Sequence, residues 1–398
     1  MKPAGGSFKA ESEVFVSGKP LNATDLTVGP DGAMYFCTGG RNTEGGIFRV
    51  VWKGRVPPTI TDIGRGLEAA IRQPEFTSAY ARQRIAVVKQ SLGEEWDAQI
   101  VAVAEDPQAK PEHRVRALNL MQLFGPFPSS EFLIDLADDA DSQVRAKAAY
   151  LMGIHADETT GAKLVKLLRD KDGTVARVAC ESLARAGQRP PISHLSPLLG
   201  SRDRYVAWAA RRALESLPVE RWKDLIKSSE HRIFLQASLA LMSVEPTREN
   251  AIEVLNRASK LMQGFVKDED FLDTLRLIEV AMHRASITGE DVPELTAQLA
   301  EEYPSSDQKM NRELVKILVH LQATSVMDRM LEQLTSTIPM SEKVHVAVHA
   351  RYMKGWNTRQ KLELLKFYEH ARTQTGGHSF VGYIENVSRD FFADFSNE

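Results

Sequence analysis

Three stretches, DSQVRAKAAYLM (141–152), DGTVARVACESL (172–183) and DRYVAWAARRAL (203–214), share one pattern that decides the fold. Their valines, Val144, Val175 and Val206, recur at a constant interval, which we call the repeat length, and an aspartate stands three places before each. An aspartate in that place can accept a backbone N–H in the first turn of a helix. Small and apolar residues follow four and eight places after each valine, on one face of that helix. The pattern predicts helices that stack closely through a narrow buried stripe.

Weaker copies of the pattern lie on both sides of these three. The upstream copy is Val115, with Glu112 before it, and the downstream copy is Ile233, with Glu230 before it. A short apolar segment precedes each of these helices, so each repeat is predicted to be a helical hairpin. Repeated helical hairpins are typical of an α-solenoid. After residue 247 the match at this repeat length fades, while amphipathic segments of helical length continue.

The composition limits the classes of function. Of 398 residues 43% are apolar, and 50 Lys plus Arg against 53 Asp plus Glu give a net charge of −3. A near-neutral chain has no large basic field, so we expect no nucleic-acid partner. No apolar run approaches the roughly 18–20 residues of a transmembrane segment, and residues 1–12 lack the apolar stretch of a signal peptide, which taken alone predicts a cytoplasmic chain. The two cysteines, Cys37 and Cys180, are too few for a disulfide framework or a CxxCH haem attachment.

The N-terminal residues are rich in Gly, Thr and β-branched or aromatic residues between turn signals, which predicts strands. Gly29-Pro30-Asp31-Gly32 is typical of a tight turn between two strands. A single sheet of about four short strands has little core, so other residues must cover it. The predicted strands lie at 13–17, 25–28, 33–38 and 46–52.

Changes in composition divide the chain into four predicted regions. We expect a small antiparallel β segment at 1–56, a helical linker or N-terminal cap at 57–108, the regular repeats at 109–245, and irregular helical repeats with a C-terminal cap at 246–398. The predicted fold class is mainly α, an α-solenoid of stacked helical hairpins preceded by a small antiparallel sheet.

These motifs resemble known families. The acid-x-x-Val-Arg pattern with following alanines, over 112–242, resembles HEAT-like repeats of the phycobilisome-lyase type. The segment TDLTVGPDGAMYF (24–36) looks like the final blade of a six-bladed propeller of the soluble-glucose-dehydrogenase or NHL-like kind. Together with Arg72-Gln73-Pro74 and Arg82-Gln83-Arg84-Ile85, these segments resemble large planctomycete proteins described as membrane-bound dehydrogenases. Those proteins combine a propeller, HEAT-like repeats and a haem-binding cytochrome c domain.

The resemblance implies that the chain is part of such a protein, with only the last propeller blade and the HEAT-like region present. It also implies a periplasmic or membrane-associated parent, so the compartment stays open between this and the cytoplasm. No CxxCH motif occurs in the sequence, and we expect no cofactor in this chain. Haem c or a quinone would belong to the other domains of the parent family.

The repeats also supply candidate interaction residues. Arg116, Arg145 and Arg177 recur near the start of the valine helices, and Trp208 follows Ala207 in the last of them. The arginines predict a solvated face paired with acids, or alternatively a ladder that binds a partner. Trp208 is a candidate for the lining of a concave interaction surface.

Further candidates lie towards the C-terminal end. Phe391 and Phe392 belong to an aromatic helical face, which predicts either a cap over the last repeat or a docking face. His345 and His349 are one helical turn apart and are weak candidates for metal ligands, because the Glu of an HExxH zinc site is missing. His378 lies in a glycine-rich stretch that predicts a turn between helices.

Two functional hypotheses follow. The first is a non-catalytic HEAT-repeat scaffold whose partners are proteins or neighbouring domains. The second, which rests on the resemblance, is a part of a periplasmic sugar or alcohol dehydrogenase-like redox protein. No Ser-His-Asp, Cys-His or paired-carboxylate arrangement follows from the spacing of residues, so the sequence does not support catalysis by this chain alone.

Overall fold

The structure is a computed structural model that describes residues 1–18, 21–40, 44–377, 379–393 and 395, with the backbone alone at 59 and 60. The chain divides into two compact units. The first comprises Met1–Pro190 and Asp203–Ala209, and the second comprises Pro191–Arg202 and Ala210–Glu398. Helices dominate both units, as predicted, and the strands lie in the first unit. The four regions predicted from changes in composition are not the same as these two units, and they stay a prediction.

The strands form a two-stranded and a three-stranded antiparallel sheet. They are β1 (Lys2–Ala4), β2 (Ser7–Lys9), β3 (Ala23–Val28), β4 (Met34–Thr38) and β5 (Gly46–Val50). The predicted strands at 25–28, 33–38 and 46–52 correspond to β3, β4 and β5. The strand predicted at 13–17 is wrong, because these residues are irregular and exposed. An alternating pattern makes a strand only where a neighbouring strand accepts its backbone hydrogen bonds, and β1 pairs with β2 instead.

The three-stranded sheet leaves apolar side chains uncovered. Phe36 on the central strand lies opposite Leu26 and Phe48, and the rings of Phe36 and Phe48 stack with centroids 5.0 Å apart. Phe36 is buried, but Leu26, Phe48 and Trp52 are exposed, and Ile47 is 81% exposed. The sheet therefore has an incomplete core, as its small size predicts.

The helices of the first unit pair with their neighbours along the chain. α4 packs on α5, α6 on α7 and α8 on α9, and the second helices of these hairpins, α5, α7 and α9, pack side by side. The helices are α1 (Pro58–Thr61), α2 (Leu67–Ile71), α3 (Ala79–Leu92), α4 (Glu95–Glu105), α5 (Pro111–Phe124), α6 (Ser130–Leu136), α7 (Ser142–Met152), α8 (Glu158–Leu167) and α9 (Gly173–Arg185).

The predicted aspartate caps are confirmed. Asp141 accepts hydrogen bonds from the backbone N–H groups of Gln143 and Val144, and Asp172 and Asp203 do the same at their own helices. These bonds satisfy N–H groups that have no partner within the helix, so each aspartate fixes where its helix begins.

The alignment of the first copy at Val115 is shifted along the helix and is therefore wrong. α5 has Lys110 at its N-cap position, one repeat length before Asp141, so His113 and not Val115 is the counterpart of Val144. In this register Ala117 and Met121 correspond to Ala148 and Met152, and all four are buried. Consequently Arg114, and not Arg116, is the counterpart of Arg145. Glu112 and Glu230 make no side-chain cap.

The second unit repeats the same packing with longer helices. α13 packs on α14, α15 on α16, α17 on α18 and α19 on α20, while α12, α14, α16 and α18 pack side by side in that order. The indole N–H of the fully buried Trp222 donates to the Leu217 carbonyl. The helices are α10 (Ile192–Leu199), α11 (Arg204–Glu215, which begins in the first unit), α12 (His231–Val244), α13 (Arg248–Met262), α14 (Asp268–Ala285), α15 (Pro293–Glu302), α16 (Gln308–His320), α17 (Met327–Thr335), α18 (Met340–Ala350), α19 (Thr358–Arg372) and α20 (Phe380–Ala393).

Candidate functional site

Two arginines bridge successive repeats of the first unit. Arg145 on α7 makes a two-pronged ion pair with Asp170, with Nε–Oδ2 at 2.8 Å and Nη2–Oδ1 at 2.9 Å. Its remaining N–H groups donate to the backbone carbonyls of Asp139 and Ala140. Arg114 on α5 forms the equivalent pair with Asp139, at 2.6 Å. Because one repeat length separates both the two arginines and the two aspartates, one bridge is repeated at two interfaces.

The position of Arg145 excludes it from the accessible surface. Arg145 is only 5% exposed, so the predicted pairing with an acid is present, but the assignment to a solvated face or a partner-binding ladder is wrong. Burial alone would raise the pKa of the Asp170 carboxyl, but hydrogen bonds from Arg145 and from the Asp172 backbone outweigh burial and hold that pKa below its usual value. The Asp170 carboxylate in turn raises the pKa of the Arg145 guanidinium. This arginine holds repeats together.

Arg177 has a different partner, the Gly5-Gly6 turn between β1 and β2, which together form the N-terminal hairpin. Its Nε donates to the Gly6 carbonyl at 2.6 Å, and the Gly6 N–H donates to Asp203 Oδ2 at 2.6 Å. Thr174 also donates its hydroxyl to the Gly5 carbonyl, at 3.2 Å. The turn is thus held between the first turn of α9 and the N-cap of α11. In the third copy of the repeat the positions of Arg145 and Asp170 are occupied by Ala176 and Ser201, so no bridge of the same kind can form.

The hairpin can approach this closely because three glycines meet. A Cβ on Gly5, whose φ is +56°, would collide with Asp203 Oδ2. A Cβ on Gly173 would lie 3.1 Å from the Gly6 backbone nitrogen, which is tighter than ordinary contact. Burial by itself raises the pKa of Asp203, but hydrogen bonds from the Gly6 backbone and the α11 backbone lower it overall. Arg177 therefore binds peptide backbone from its own chain.

Cations lie against aromatic rings on the second helices of the repeats. The Arg116 guanidinium lies 4.2 Å from the Phe76 ring centre and donates to the Gln73 carbonyl at 2.6 Å. Lys147, the counterpart of Arg116 one repeat later, has its ammonium 4.4 Å from the Tyr150 ring centre. Burial lowers the pKa of Lys147 to about 8. Arrangements of this kind stabilise a cation without an acid.

Trp208 is one of the exposed aromatic side chains of the first unit. It occupies the repeat position of Arg177 on α11 and is 46% exposed. Tyr205, one turn earlier, is also exposed, and the Arg204 guanidinium lies 4.7 Å from its ring centre. Trp208 is therefore accessible, and its place on an interaction surface stays a prediction.

Phe391 and Phe392 point in different directions at the end of the second unit. Phe391 is buried and makes edge contacts with the rings of Tyr368 and Trp356, at centroid distances of 6.2 and 5.7 Å. Phe392 is 63% exposed and contacts the Phe395 ring. Phe391 thus packs in the interior as a cap would, and Phe392 is the accessible member of the pair.

The two histidines are close together, with ring centroids 4.3 Å apart. A ring nitrogen of His345 lies 3.1 Å from the Arg312 carbonyl oxygen, and Nδ1 of His349 lies 2.8 Å from the His345 carbonyl oxygen. Within the described ranges no cluster of three or more His, Cys, Asp or Glu could hold a metal ion. His378 lies outside the described residues.

A groove of about 690 Å³ lies between α17, α18 and α19 in the second unit. Arg359 lines the groove and pairs with Asp328 and Glu363, at 2.7 and 2.9 Å, so much of its charge is neutralised by acids that line the same groove.

In the part of the chain that the structure describes, no helix is both long and apolar enough to cross a membrane.

Sequence reasoning missed the Arg114–Asp139 bridge, the N-terminal hairpin, and the cluster of Lys147, Tyr150 and Arg185. The bridge had a usable signal, because Arg114 and Arg145 are one repeat length apart and so are Asp139 and Asp170. The cluster had none, since Arg185 comes from a different helix than Lys147 and Tyr150.

The regular repeats are similar to a known repeat family. Residues 130–215 match the family model of HEAT repeats. The predicted fold class is confirmed with this match: a mainly α HEAT-like solenoid fold with small antiparallel sheets at its N-terminal end. The comparison with curated proteins gives no match.

Three solved structures are similar. The complex of CpcE and CpcF of phycocyanin lyase from Nostoc sp. PCC7120 is 17% identical, with 62% of this chain and 96% of that chain covered and a TM-score of 0.29. An engineered protein is 15% identical, with coverages of 85% and 98% and a TM-score of 0.39. YibA of E. coli is 12% identical, with coverages of 76% and 96% and a TM-score of 0.36.

Proposed function

We propose that the chain is a non-catalytic HEAT-repeat scaffold that binds a partner protein, or a neighbouring domain, along the second helices of its first unit. The observation that carries this proposal is the row of half-buried cations and exposed aromatics on those helices. Arg116 and Lys147 hold successive equivalent positions, and Trp208 follows on α11. Tryptophan, tyrosine and arginine dominate the binding energy of protein interfaces.

The buried arginines give the same proposal a physical basis. Arg114 and Arg145 join successive repeats through ion pairs, so we expect the cations and aromatics of the second helices to keep their spacing when a partner binds. A rigid row that needs little ordering on binding loses less entropy than a flexible surface. Stacked repeats supply function through such extended surfaces.

Site-specific photo-crosslinking tests the scaffold. A benzoylphenylalanine in place of Trp208 should crosslink to a discrete protein in the cells of origin. The same residue in place of Lys166, which is exposed on α8 among the first helices, serves as the control and should give no discrete product. Equal crosslinking at both positions, or turnover of a sugar or alcohol by the isolated chain, would refute the proposal.

A second candidate is a part of a larger periplasmic redox protein of the dehydrogenase-like kind, with a propeller and a haem-binding domain outside this chain. The three-stranded sheet favours it, because Ile47 and Trp52 are exposed as they would be if further blades covered them. Genomic sequence on either side of the reading frame is the test. Further blade sequences upstream and a CxxCH motif downstream would support this candidate, and dye reduction with added quinone or haem would then measure activity.

A further inference from the structure

The C-terminal ends of α5, α7 and α9 carry an accessible patch, which we name the Tyr150 patch. Phe127, in the loop after α5, is 69% exposed, and the other apolar members are exposed as well. The patch lies wholly in the first unit. Its members are Leu123, Phe127, Lys147, Tyr150, Ile154 and Arg185.

The members lie next to one another because of the repeat. Leu123, Ile154 and Arg185 follow one another at the repeat length, so they occupy equivalent positions at or just past the ends of α5, α7 and α9, which pack side by side. The Phe127 ring lies 5.9 Å from the ring of His155, the residue after Ile154. Apolar side chains exposed together in this way are typical of a protein interaction site.

The positive charges of the patch have no acidic partner among the described residues. The Lys147 ammonium and the Arg185 guanidinium both lie against Tyr150, at 4.4 and 4.8 Å from its ring centre. Glu181 is one turn before Arg185, but it pairs with Arg177. The electrons of one ring partly stabilise both cations, but no carboxylate neutralises either charge. A carboxylate placed beside Tyr150 would attract both cations.

We propose that the Tyr150 patch binds an acidic segment of a partner protein in the polyproline II conformation, in which an acidic residue and an apolar residue each recur at every third position. Packed helices are about 8–10 Å apart, and one turn of a polyproline II segment takes three residues and rises about 9 Å. A segment with an acid and an apolar residue in each group of three would therefore present both to every repeat it crosses. This inference rests on the proposed scaffold function and names the chemistry of the partner.

Fluorescence polarisation on the full chain tests this proposal. The probe is a labelled peptide of about twelve residues that repeats Glu-Leu-Ser, with Lys-Leu-Ser and Glu-Ser-Ser repeats of equal length as comparisons. Arg185→Glu should weaken binding of the Glu-Leu-Ser peptide by about tenfold or more, because an attraction becomes a repulsion. Arg169→Glu makes the same charge change at an exposed position on the loop after α8 and should have less than about a twofold effect.

The outcomes separate this inference from the scaffold proposal. Loss of affinity with rising salt, and weaker binding by Ile154→Ala, would support the patch. The inference is overturned if Arg185→Glu binds as the unaltered chain does, if the Lys-Leu-Ser peptide binds equally well, or if a single-stranded oligonucleotide binds more tightly than the peptide. Failure of the peptide together with a discrete Trp208 crosslink would remove the patch and leave the scaffold standing.

Discussion

The buried pair of Arg145 and Asp170 makes a sharp prediction about stability. Removing one partner leaves the other charge buried without its counter-ion, which typically costs about 3–5 kcal/mol. Arg145→Ala also removes the donors of two backbone carbonyls, and Asp170→Ser removes the acceptor of the Asp172 N–H. Each single variant should therefore lower the free energy of unfolding of the first unit by about 3–5 kcal/mol.

The double variant should behave differently from either single variant. Arg145→Ala with Asp170→Ser removes both charges and recreates the Ala176 and Ser201 of the third copy. Lost packing, a void and the unpaired backbone groups then remain, but no buried charge lacks its counter-ion. The cost should be about 2–3 kcal/mol, so the double variant should be more stable than either single variant.

Hydrogen exchange in urea, read on peptides from α7 and α9, measures the first unit within the full chain. A loss of about 4 kcal/mol should lower its urea midpoint by roughly 1–2 M at the slopes usual for such units. Glu68→Ala breaks an exposed pair with Arg72 and is the control, with an expected cost below about 0.5 kcal/mol. A double variant destabilised by the sum of the two single effects would refute the reasoning.

Three further predictions concern the first unit. Gly5→Ala should release the N-terminal hairpin and speed amide exchange at residues 1–9, whereas Gly187→Ala, which has the same left-handed φ and no neighbour within 4 Å, should leave that exchange unchanged. The rate of trace acetylation of Lys147 should rise with pH to a midpoint near 8, because burial disfavours the charged form of its side chain. The same lowered pKa should make the folded chain more stable as the pH rises from about 8 to the ordinary lysine pKa, because the unfolded chain binds more protons in that range. An acetylation midpoint at the ordinary lysine pKa would contradict both statements. Asp172→Ala should cost about 1 kcal/mol in urea unfolding through the lost cap, and no measurable change would mean that water replaces the carboxylate without loss.

The repeat and its helices could be predicted because their causes are local. Asp141 caps its own helix, and Ala148 with Met152 lies on one face of it, so both effects depend only on spacing along the chain. The strand predicted at 13–17 failed for the opposite reason, since a strand depends on what lies beside it. The N-terminal hairpin forms at a Gly5-Gly6 turn whose partners, Arg177 and Asp203, are far away in sequence.

The three arginines separate the features that follow from the repeat pattern from those that depend on the folded neighbours. Composition and the constant repeat length were enough to establish a mainly helical repeat protein with capped hairpins. Arg116, Arg145 and Arg177 look alike in that pattern, yet one lies against an aromatic ring, one is buried in an ion pair and one holds a backbone turn. Their roles depend on which group from another part of the chain lies within about 3–4 Å, because hydrogen bonds, ion pairs and ring contacts lose their strength over longer distances.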